Sequence, residues 1–340
     1  MQQETYEICS KPLGNGTFAQ VYKIKKIDIP HNRLIAKIYP KKRIIYYERE
    51  KRILLRISNE NDNGQNDYLI NLKDANATLT QSDEFRQDSE LLTFDFLMHG
   101  NVVDYVSLKN IGKPFCELYA KLLCYKILLG LKKCHENRIS HNRLEIRNIM
   151  FDENFNPIII HFGDAKISDN HRKDFIGLAN VLTGLLTSRK IISCKLDKIT
   201  NKYIYRFYPN FNSLNKEKCC DESTFWTLLV DSKGIKISEE FIDFFHELVS
   251  PDKIVKIDDL LHSAWLKEVI YNQNQIENIL KAEFKHNYYM LKESQELITN
   301  YNHQINLSSI INIDEMADAL TQNNITDEFI KNINKLDEKR

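Results

Sequence analysis

An excess of one charge, a long apolar run and a targeting segment are all missing from this sequence. Its 47 lysines and arginines balance 47 aspartates and glutamates, so there is no electrostatic basis for binding nucleic acid or an anionic membrane. No apolar stretch is long enough to span a bilayer. The N-terminus lacks the basic and apolar regions of a signal peptide. We therefore expect a protein that binds no nucleic acid and does not insert into a membrane.

Paired cysteines are also missing. The seven cysteines are scattered, only Cys219 and Cys220 are adjacent, and no CxxC pair suggests a zinc site. An odd number of unpaired thiols is typical of a reducing compartment. The sequence thus predicts a cytoplasmic protein, and association with the cytoskeleton or a cilium is left open.

The apolar pattern changes along the chain. Short runs rich in β-branched and aromatic residues predict strands within residues 6–40. Residues 43–57 have the apolar spacing of a helix, and a strongly apolar helix is predicted over residues 114–135. Early strands followed by later helices indicate an α+β fold with two lobes.

Three regions follow from this pattern. Residues 1–98 are predicted to form a β-rich small lobe, and residues 99–270 an α-helical large lobe. Residues 271–340 carry further helical patterns and predict a helical C-terminal extension. One of its apolar faces begins at Ile276 and either packs on the large lobe or docks a partner protein as a helix in a groove.

The stretch LGNGTFAQVY places Gly14 and Gly16 between two predicted strands. Glycines there let backbone N–H groups approach phosphates closely. Lys37 follows in the third strand and Glu50 in the next helix. A strand lysine paired with a helix glutamate holds the α- and β-phosphates of ATP. The ordered series predicts a nucleotide site.

With these motifs, with HNRLEIRN at 141–148 and with HFG at 161–163, residues 5–268 resemble the eukaryotic protein kinase family. The stretch 238–269 is similar to the end of the large lobe of calcium/calmodulin-dependent serine/threonine kinases, and Trp265 fits their closing tryptophan. Ala19 stands where many members have a third glycine. The resemblance implies a two-lobed kinase-like fold.

The resemblance also implies roles for individual residues. The adenine pocket would be formed by the following residues, with Phe94 as gatekeeper and 95–97 as hinge: Val21, Ala36, Phe94, Asp95, Phe96, Leu97 and Met150. A column that orders the two lobes would contain Leu54, Leu72, His141, Phe162 and Asp174.

Two positions depart from the catalytic pattern of this family. Arg143 stands where the catalytic aspartate belongs, and a guanidinium remains protonated and only donates hydrogen bonds. His161 stands at the metal-binding aspartate, although Mg²⁺ prefers oxygen ligands. Asn148, the second metal position, is present and is a weak metal candidate without its carboxylate partner. Loss of a general base typically lowers a rate about 100- to 10,000-fold.

The segment after the HFG motif is short. Ten residues, DAKISDNHRK, separate Gly163 from Asp174, and the Ala-Pro-Glu motif is missing. Ile254 replaces the arginine that normally pairs with the glutamate of that motif. The nearest carboxylates that could compensate are Glu145 and Asp164. We expect Asp164 to point elsewhere because it follows the glycine.

Three hypotheses follow. The leading one is a pseudokinase that acts as a scaffold, an allosteric or a structural binding module for a protein partner. ATP binding is open: Gly14, Gly16, Lys37 and Glu50 favour it, whereas the lost metal carboxylate and the bulk of Phe94 argue for weak or magnesium-independent binding. The alternatives are a weak or atypical ATP-dependent serine/threonine kinase, and a purely structural component with an empty cleft.

Overall fold

The computed structural model describes residues 4–26, 29–58, 68–79, 89–103, 117–187, 190–197, 199, 202–208, 218–221, 225–226, 237–250, 254–272, 274 and 276–278. All of them belong to one compact unit, residues 1–287, and the second unit, residues 288–340, lies outside the described residues. No helix in the described part of the chain is long and apolar enough to cross a membrane.

A seven-stranded sheet forms the small lobe. Its strands are β1 (Thr5–Ile8), β2 (Gly14–Asn15), β3 (Gln20–Lys26), β4 (Ile29–Pro40), β5 (Leu72–Asp74), β6 (Thr78–Leu79) and β7 (Ser89–Asp95). The order is β5-β7-β4-β3-β1-β6, with β2 paired to β3. All pairs are antiparallel except β1 with β6. The strands predicted within residues 6–40 are thus confirmed.

Helix α1 (Ile44–Ser58) follows the sheet and confirms the helix predicted over residues 43–57. Its buried side chains recur every three or four residues and include Glu50, Ile53, Leu54 and Ile57, so one stripe of the helix faces the protein. The buried Glu50 carboxylate on that stripe needs a partner, and Lys37 of β4 supplies it.

The helices of the large lobe are α2 (Glu117–Glu136), α3 (Arg172–Thr187), α4 (Glu239–Val249) and α5 (Ile257–Leu261). Eleven of the 20 residues of α2 are buried, as expected of a central helix. Glu117 joins three elements: it accepts hydrogen bonds from the Ser238 backbone N–H (2.9 Å) and from Trp265 Nε1 (2.7 Å). Ser238 in turn caps α4 by accepting from the Phe241 N–H at 3.2 Å.

The prediction of an α-helical large lobe is incomplete. Two short antiparallel pairs join β8 (Ile139–Ser140) to β11 (Lys166–Ile167), and β9 (Ile149–Phe151) to β10 (Pro157–Ile159). A three-stranded antiparallel sheet then follows α3: β12 (Lys190–Asp197), β13 (Lys202–Tyr208) and β14 (Lys218–Asp221). Runs such as KYIYRFY have the β-branched and aromatic composition of strands.

Arg172, the first residue of α3, connects the start of that helix to the end of α4. Its guanidinium donates to the backbone C=O groups of Leu248 (3.5 Å) and Val249 at the end of α4. A cation there satisfies terminal carbonyls and suits the helix dipole. Ile254, at the position of the family arginine, is 87% exposed.

The first residues of the C-terminal extension contact the large lobe. Ile276 is buried, and Glu277 pairs with Lys126 of α2 at 3.0 Å. Lys126 is itself buried and donates to Asn156 Oδ1 at 2.6 Å, so the ammonium group is well compensated. The rest of the predicted helical extension, residues 279–340, lies outside the described residues.

Gly177 allows close contact between α3 and the preceding loop. A Cβ atom built there would lie 2.7 Å from the backbone oxygen of Leu144. We expect Gly177→Ala to destabilise the protein by about 1–3 kcal/mol, although alanine gains about 1 kcal/mol in helix propensity. Urea unfolding measures the change. Gly14→Ala is the control because its Cβ meets nothing within 4 Å. Unchanged stability in Gly177→Ala would contradict the contact.

Candidate nucleotide site

The lysine–glutamate pair predicted from the sequence is formed. Lys37 Nζ lies 2.8 and 2.6 Å from the two carboxylate oxygens of Glu50. The Glu50 carboxylate is almost fully buried and also accepts from Tyr39 Oη at 2.5 Å. Burial and the charge of Glu50 raise the pKa of Tyr39 far above its usual range, so its hydroxyl is a permanent donor. Gly163 permits this approach, because a Cβ there would lie 3.2 Å from Glu50 Oε2.

The register of the sheet determines which residues face the cleft. Val21 pairs with Lys37, and Lys37 with Leu92, so these three share one face. Ile35 and Phe94 are also paired and, two residues along their strands, lie on the same face. Val21 and Phe94 are thus positioned toward the cleft, on the same face as Lys37.

The structure contradicts the adenine contact predicted for Ala36. Successive strand residues point to opposite faces, and Ala36 is fully buried in the apolar cluster on the face away from Lys37. In the family pattern the alanine lies two residues before the lysine, and Ile35 has that position here. Ile35, on the face of Lys37, therefore takes the position of the family alanine, with a larger side chain.

The predicted hinge begins at Asp95, the last residue of β7. Asp95 pairs with Lys73 at 2.9 Å, and the Phe96 N–H donates to the Arg33 C=O at 2.9 Å. Leu97 follows in the connection to the large lobe, and Met150 lies in β9, bridged to Asn101.

Gly14 and Gly16 lie in the hairpin between β2 and β3. The Gly16 N–H donates to the Ala19 C=O at 3.0 Å, and a Cβ at Gly16 would lie 3.1 Å from that oxygen. Phe18, at the tip, stacks on Tyr46 of α1 with 3.8 Å between ring centroids. The glycine hairpin is therefore tied to the helix that carries Glu50.

The predicted column is partly assembled. The rings of His141 and Phe162 make an edge-to-face contact with centroids 5.0 Å apart, and both residues are fully buried. Leu54 is buried in α1. Leu72 pairs with Phe94 in the sheet and is half-buried.

Asp174 anchors the base of this column. Its carboxylate is fully buried and accepts the backbone N–H groups of His141 (2.9 Å) and Asn142 (2.7 Å). His135 Nε2 lies 3.0 Å from the same carboxylate. Burial disfavours the charged form, but the hydrogen bond from His135 and the charges of nearby histidines outweigh it and lower the pKa of Asp174.

The two degenerate positions meet around one carboxylate. Asp164 Oδ2 lies 3.0 Å from Arg143 Nη1 and 3.6 Å from His161 Nε2. The expectation that Asp164 points elsewhere is therefore wrong. Asp164 ends a 3-10 turn over Phe162–Asp164 that follows the left-handed backbone of His161, and its side chain contacts the loop that carries Arg143. Glu145, the other nearby carboxylate, pairs with Arg147 at 2.8 Å.

This arrangement is a poor substitute for the family's catalytic carboxylates. Although burial opposes it, the hydrogen bond from Arg143 leads the effects that lower the pKa of Asp164, which makes the carboxylate a weak proton acceptor. Burial, followed by the charge of Lys37, lowers the pKa of His161. Arg143 already pairs with Asp164, and Asn148 Nδ2 donates to the Arg143 C=O at 2.9 Å. This set of side chains does not match the octahedral shell of oxygen ligands that Mg²⁺ prefers.

Three functional features were missed from the sequence. Asn142 stands at the arginine of the family's His-Arg-Asp motif and has a positive φ of 64°; an asparagine beside a loop motif is a signal for this conformation. Ile35 was missed because Ala36, one residue too close to Lys37, was taken for the alanine of the family pattern. The inward direction of Asp164 depends on the 3-10 turn, for which the sequence has no clear signal.

The protein kinase domain is the family model that matches this chain, over residues 7–190. The match covers more than half of the 340 residues, and with the fold and the lysine–glutamate pair it shows that the chain belongs to the protein kinase family.

Among its relatives is calcium-dependent protein kinase 5 of Plasmodium falciparum, 26% identical over 94% of this chain and 56% of that protein. Serine/threonine-protein kinase SCH9 of Candida albicans is 30% identical over 46% of this chain and 19% of that protein. CBL-interacting serine/threonine-protein kinase 12 of Arabidopsis thaliana is 24% identical over 53% of this chain and 33% of that protein. The chain thus spans little more than half of the first relative and a third or less of the others.

The buried histidines predict loss of stability in mild acid. Burial lowers the pKa of His141 and of His161 in the folded protein. Below about pH 6.5 the unfolded chain therefore binds protons that the folded protein does not. The free energy of unfolding should fall as the pH drops from about 7.5 to 5.5, by at most about 1.4 kcal/mol per pH unit for the fully buried His141. The contribution of His161 is smaller because its side chain is 36% exposed and solvent screens its charge.

Urea unfolding across this pH range, compared between the wild type and His161→Asn, tests the prediction. Asparagine tolerates the positive φ of 71° at this position, so the variant should fold and show a smaller slope. His262→Asn, at an exposed histidine outside the cleft, is the control. An unchanged slope in His161→Asn would rule out this histidine as a source of the pH dependence.

Proposed function

We propose that this chain is a pseudokinase: a kinase-fold protein that binds nucleotide without efficient phosphoryl transfer and acts as a scaffold or allosteric module for a protein partner. The observation that carries the proposal is the Arg143–Asp164 ion pair at 3.0 Å. A permanent cation holds Asp164, and lies 3.7 Å from Glu145 as well, in the place where kinases need a free carboxylate to accept the proton of the substrate hydroxyl.

The residues present fit a nucleotide better than they fit its metal. Lys37 is held by Glu50 in the arrangement that kinases use toward the α- and β-phosphates, and Val21 and Phe94 would contact the base. Arg143 and His161 both lie against Asp164, at 3.0 and 3.6 Å, so a cation of the protein already faces the carboxylate that a magnesium ion would need. We therefore propose that binding is weak and independent of magnesium.

A second candidate rests on Asp164. Because its carboxylate lies 3.6 Å from His161 and inside the degenerate site, it would accept the proton or hold a metal if Arg143 moved away. The chain would then be a weak or atypical ATP-dependent serine/threonine kinase. The low pKa of Asp164 and its partner Arg143 favour the first candidate.

We also propose that the protein works in the reducing cytoplasm. Cys124 and Cys134 are free and buried, and burial raises the pKa of both thiols well above its usual range. Such thiols are unreactive packing groups, which supports this location.

We expect ATP at about ten times its dissociation constant to raise the melting temperature by roughly 2–4 °C, equally with magnesium and with EDTA. Lys37→Ala should abolish this shift because the phosphates lose their cation. It also leaves Glu50 buried without its cation and lowers the baseline stability, so each variant is compared with its own nucleotide-free state.

Differential scanning fluorimetry measures the shift, and Lys25→Ala is the matched control. Lys25 lies in the same sheet, but it is exposed and pairs with Glu7. If no shift occurs at millimolar ATP, nucleotide-dependent regulation is rejected. A shift that requires magnesium would contradict metal-independent binding.

Phosphoryl transfer should be at background level. We expect phosphate release from ATP by the wild type to equal that of Lys37→Ala. The double variant Arg143→Asp/His161→Asp should rise by about 100-fold or more, because both carboxylates return. Wild-type turnover that disappears in Asp164→Asn as well as in Lys37→Ala would establish the second candidate, and turnover that survives Lys37→Ala would indicate a contaminating enzyme.

A further inference from the structure

Tyr39 of β4 lies between the sheet and α1, and only 1% of its surface is exposed. It pairs with Glu90 of β7, two residues beyond Lys37, so its side chain shares the face of Lys37. Its ring makes an edge-to-face contact with Tyr47 of α1, with centroids 5.8 Å apart. A buried tyrosine hydroxyl needs a hydrogen-bond partner, and the partner here is the carboxylate of Glu50.

The two oxygens of the Glu50 carboxylate differ in their donors. Oε1 accepts from Lys37 Nζ at 2.8 Å. Oε2 accepts from Lys37 Nζ at 2.6 Å and also from Tyr39 Oη at 2.5 Å. Among the residues that the structure describes, Lys37 is the only cation that pairs with Glu50. Oε2 therefore has a second, uncharged donor, whereas Oε1 depends on the cation.

The number of donors on Lys37 limits what this side chain can hold at once. An ammonium group has three N–H donors, and Glu50 accepts two of them. One donor remains, whereas the α- and β-phosphates of a nucleotide need at least one each. Lys37 can therefore contact both phosphates only if it releases one oxygen of Glu50.

Tyr39 determines which oxygen is released more easily. A buried carboxylate oxygen that loses its donor is unfavourable. Release of Oε1 would remove the one donor that the described residues give it, whereas Oε2 would keep the Tyr39 hydroxyl. This hydrogen bond is charge-assisted and comes from the sheet, so it does not depend on the direction of Lys37.

We propose that Tyr39 is a positioning residue for the phosphates of the nucleotide: its hydroxyl holds Oε2 of Glu50 and so frees a second donor of Lys37 for a second phosphate. Tyr39 thereby favours nucleotides with two or more phosphates over nucleoside monophosphates. Its role rests on the proposed function, since it requires a cleft that binds ATP.

Tyr39→Phe removes the hydroxyl and keeps the ring, so the variant should fold. Because Oε2 then retains Lys37, we expect the dissociation constant for ATP to rise about five- to tenfold, equivalent to about 1–1.4 kcal/mol. The constant for AMP, whose single phosphate needs one donor, should stay nearly unchanged. Isothermal titration calorimetry of the full chain in EDTA measures both constants. A tyrosine that only fills space would change both by the same factor.

Tyr47→Phe is the matched control. Tyr47 is equally buried, and its hydroxyl donates to the Ala75 C=O at 2.5 Å rather than to Glu50. Both variants lose a buried hydrogen bond and should melt at a lower temperature than the wild type, but only Tyr39→Phe should weaken ATP binding. If AMP binds too weakly to be measured, the comparison of these two variants decides the question by itself.

Three results would overturn the role of Tyr39: unchanged or tighter ATP binding by Tyr39→Phe, equal weakening of ATP and AMP, and equal weakening by Tyr39→Phe and Tyr47→Phe. In each of them the wild type still binds ATP, so nucleotide binding itself stands. A wild type that binds no ATP would instead reject nucleotide binding, and the role of Tyr39 with it.

Discussion

The buried carboxylate of Asp174 determines the conformation of the loop that carries Arg143. It accepts two consecutive backbone N–H groups, from His141 and Asn142, and so fixes the loop in front of Arg143. A buried carboxylate is costly unless it is fully hydrogen-bonded, and here the two amides and His135 provide the partners. Because the interaction uses backbone groups of the loop, it holds whatever side chain stands at position 143.

This separation of scaffold from chemistry explains how the family fold persists without the family's carboxylates. Lys37–Glu50, the His141–Phe162 contact and the Asp174 anchor require no catalytic turnover and stabilise the folded state directly. Both substituted side chains lie beside Asp164, with Arg143 at 3.0 Å and His161 at 3.6 Å. The side chains of Arg143 and Asp164 are 45% and 40% exposed, so their ion pair contributes on the order of 0–1 kcal/mol, and the fold does not depend on it.

The sequence predicted the parts of the site that depend on spacing along one element or on a motif. Lys37 and Glu50 fall at family spacings and form the predicted pair. His141 contacts Phe162, and its backbone N–H donates to Asp174. The adenine contact predicted for Ala36 is wrong because strand alternation, rather than the identity of a small residue, decides which face a side chain occupies. The direction predicted for Asp164 is wrong for a related reason. It depends on the local 3-10 turn over Phe162–Asp164 rather than on the position of the residue after the glycine.

Among the fold features, the β12–β14 sheet could not be predicted from the family resemblance, because it lies where a helical lobe was expected. Its composition carried a strand signal, but tertiary context determines whether such runs pair. The role of Arg172 likewise became visible only when the ends of α3 and α4 were seen together. Sequence alone does not place this contact, since Arg172 and Val249 are 77 residues apart.

Arg143 determines which charges a nucleotide would meet in the cleft. Its guanidinium pairs with Asp164 at 3.0 Å and lies 3.7 Å from Glu145, so a polyphosphate that enters the cleft would compete with two carboxylates for one cation. Because these ion pairs are accessible to solvent, each contributes little, on the order of 0–1 kcal/mol, and the competition costs little. If nucleotide binds as proposed, a cation at the position of the family's base would therefore favour the phosphates while it opposes their transfer, since a guanidinium cannot accept the proton of a substrate hydroxyl.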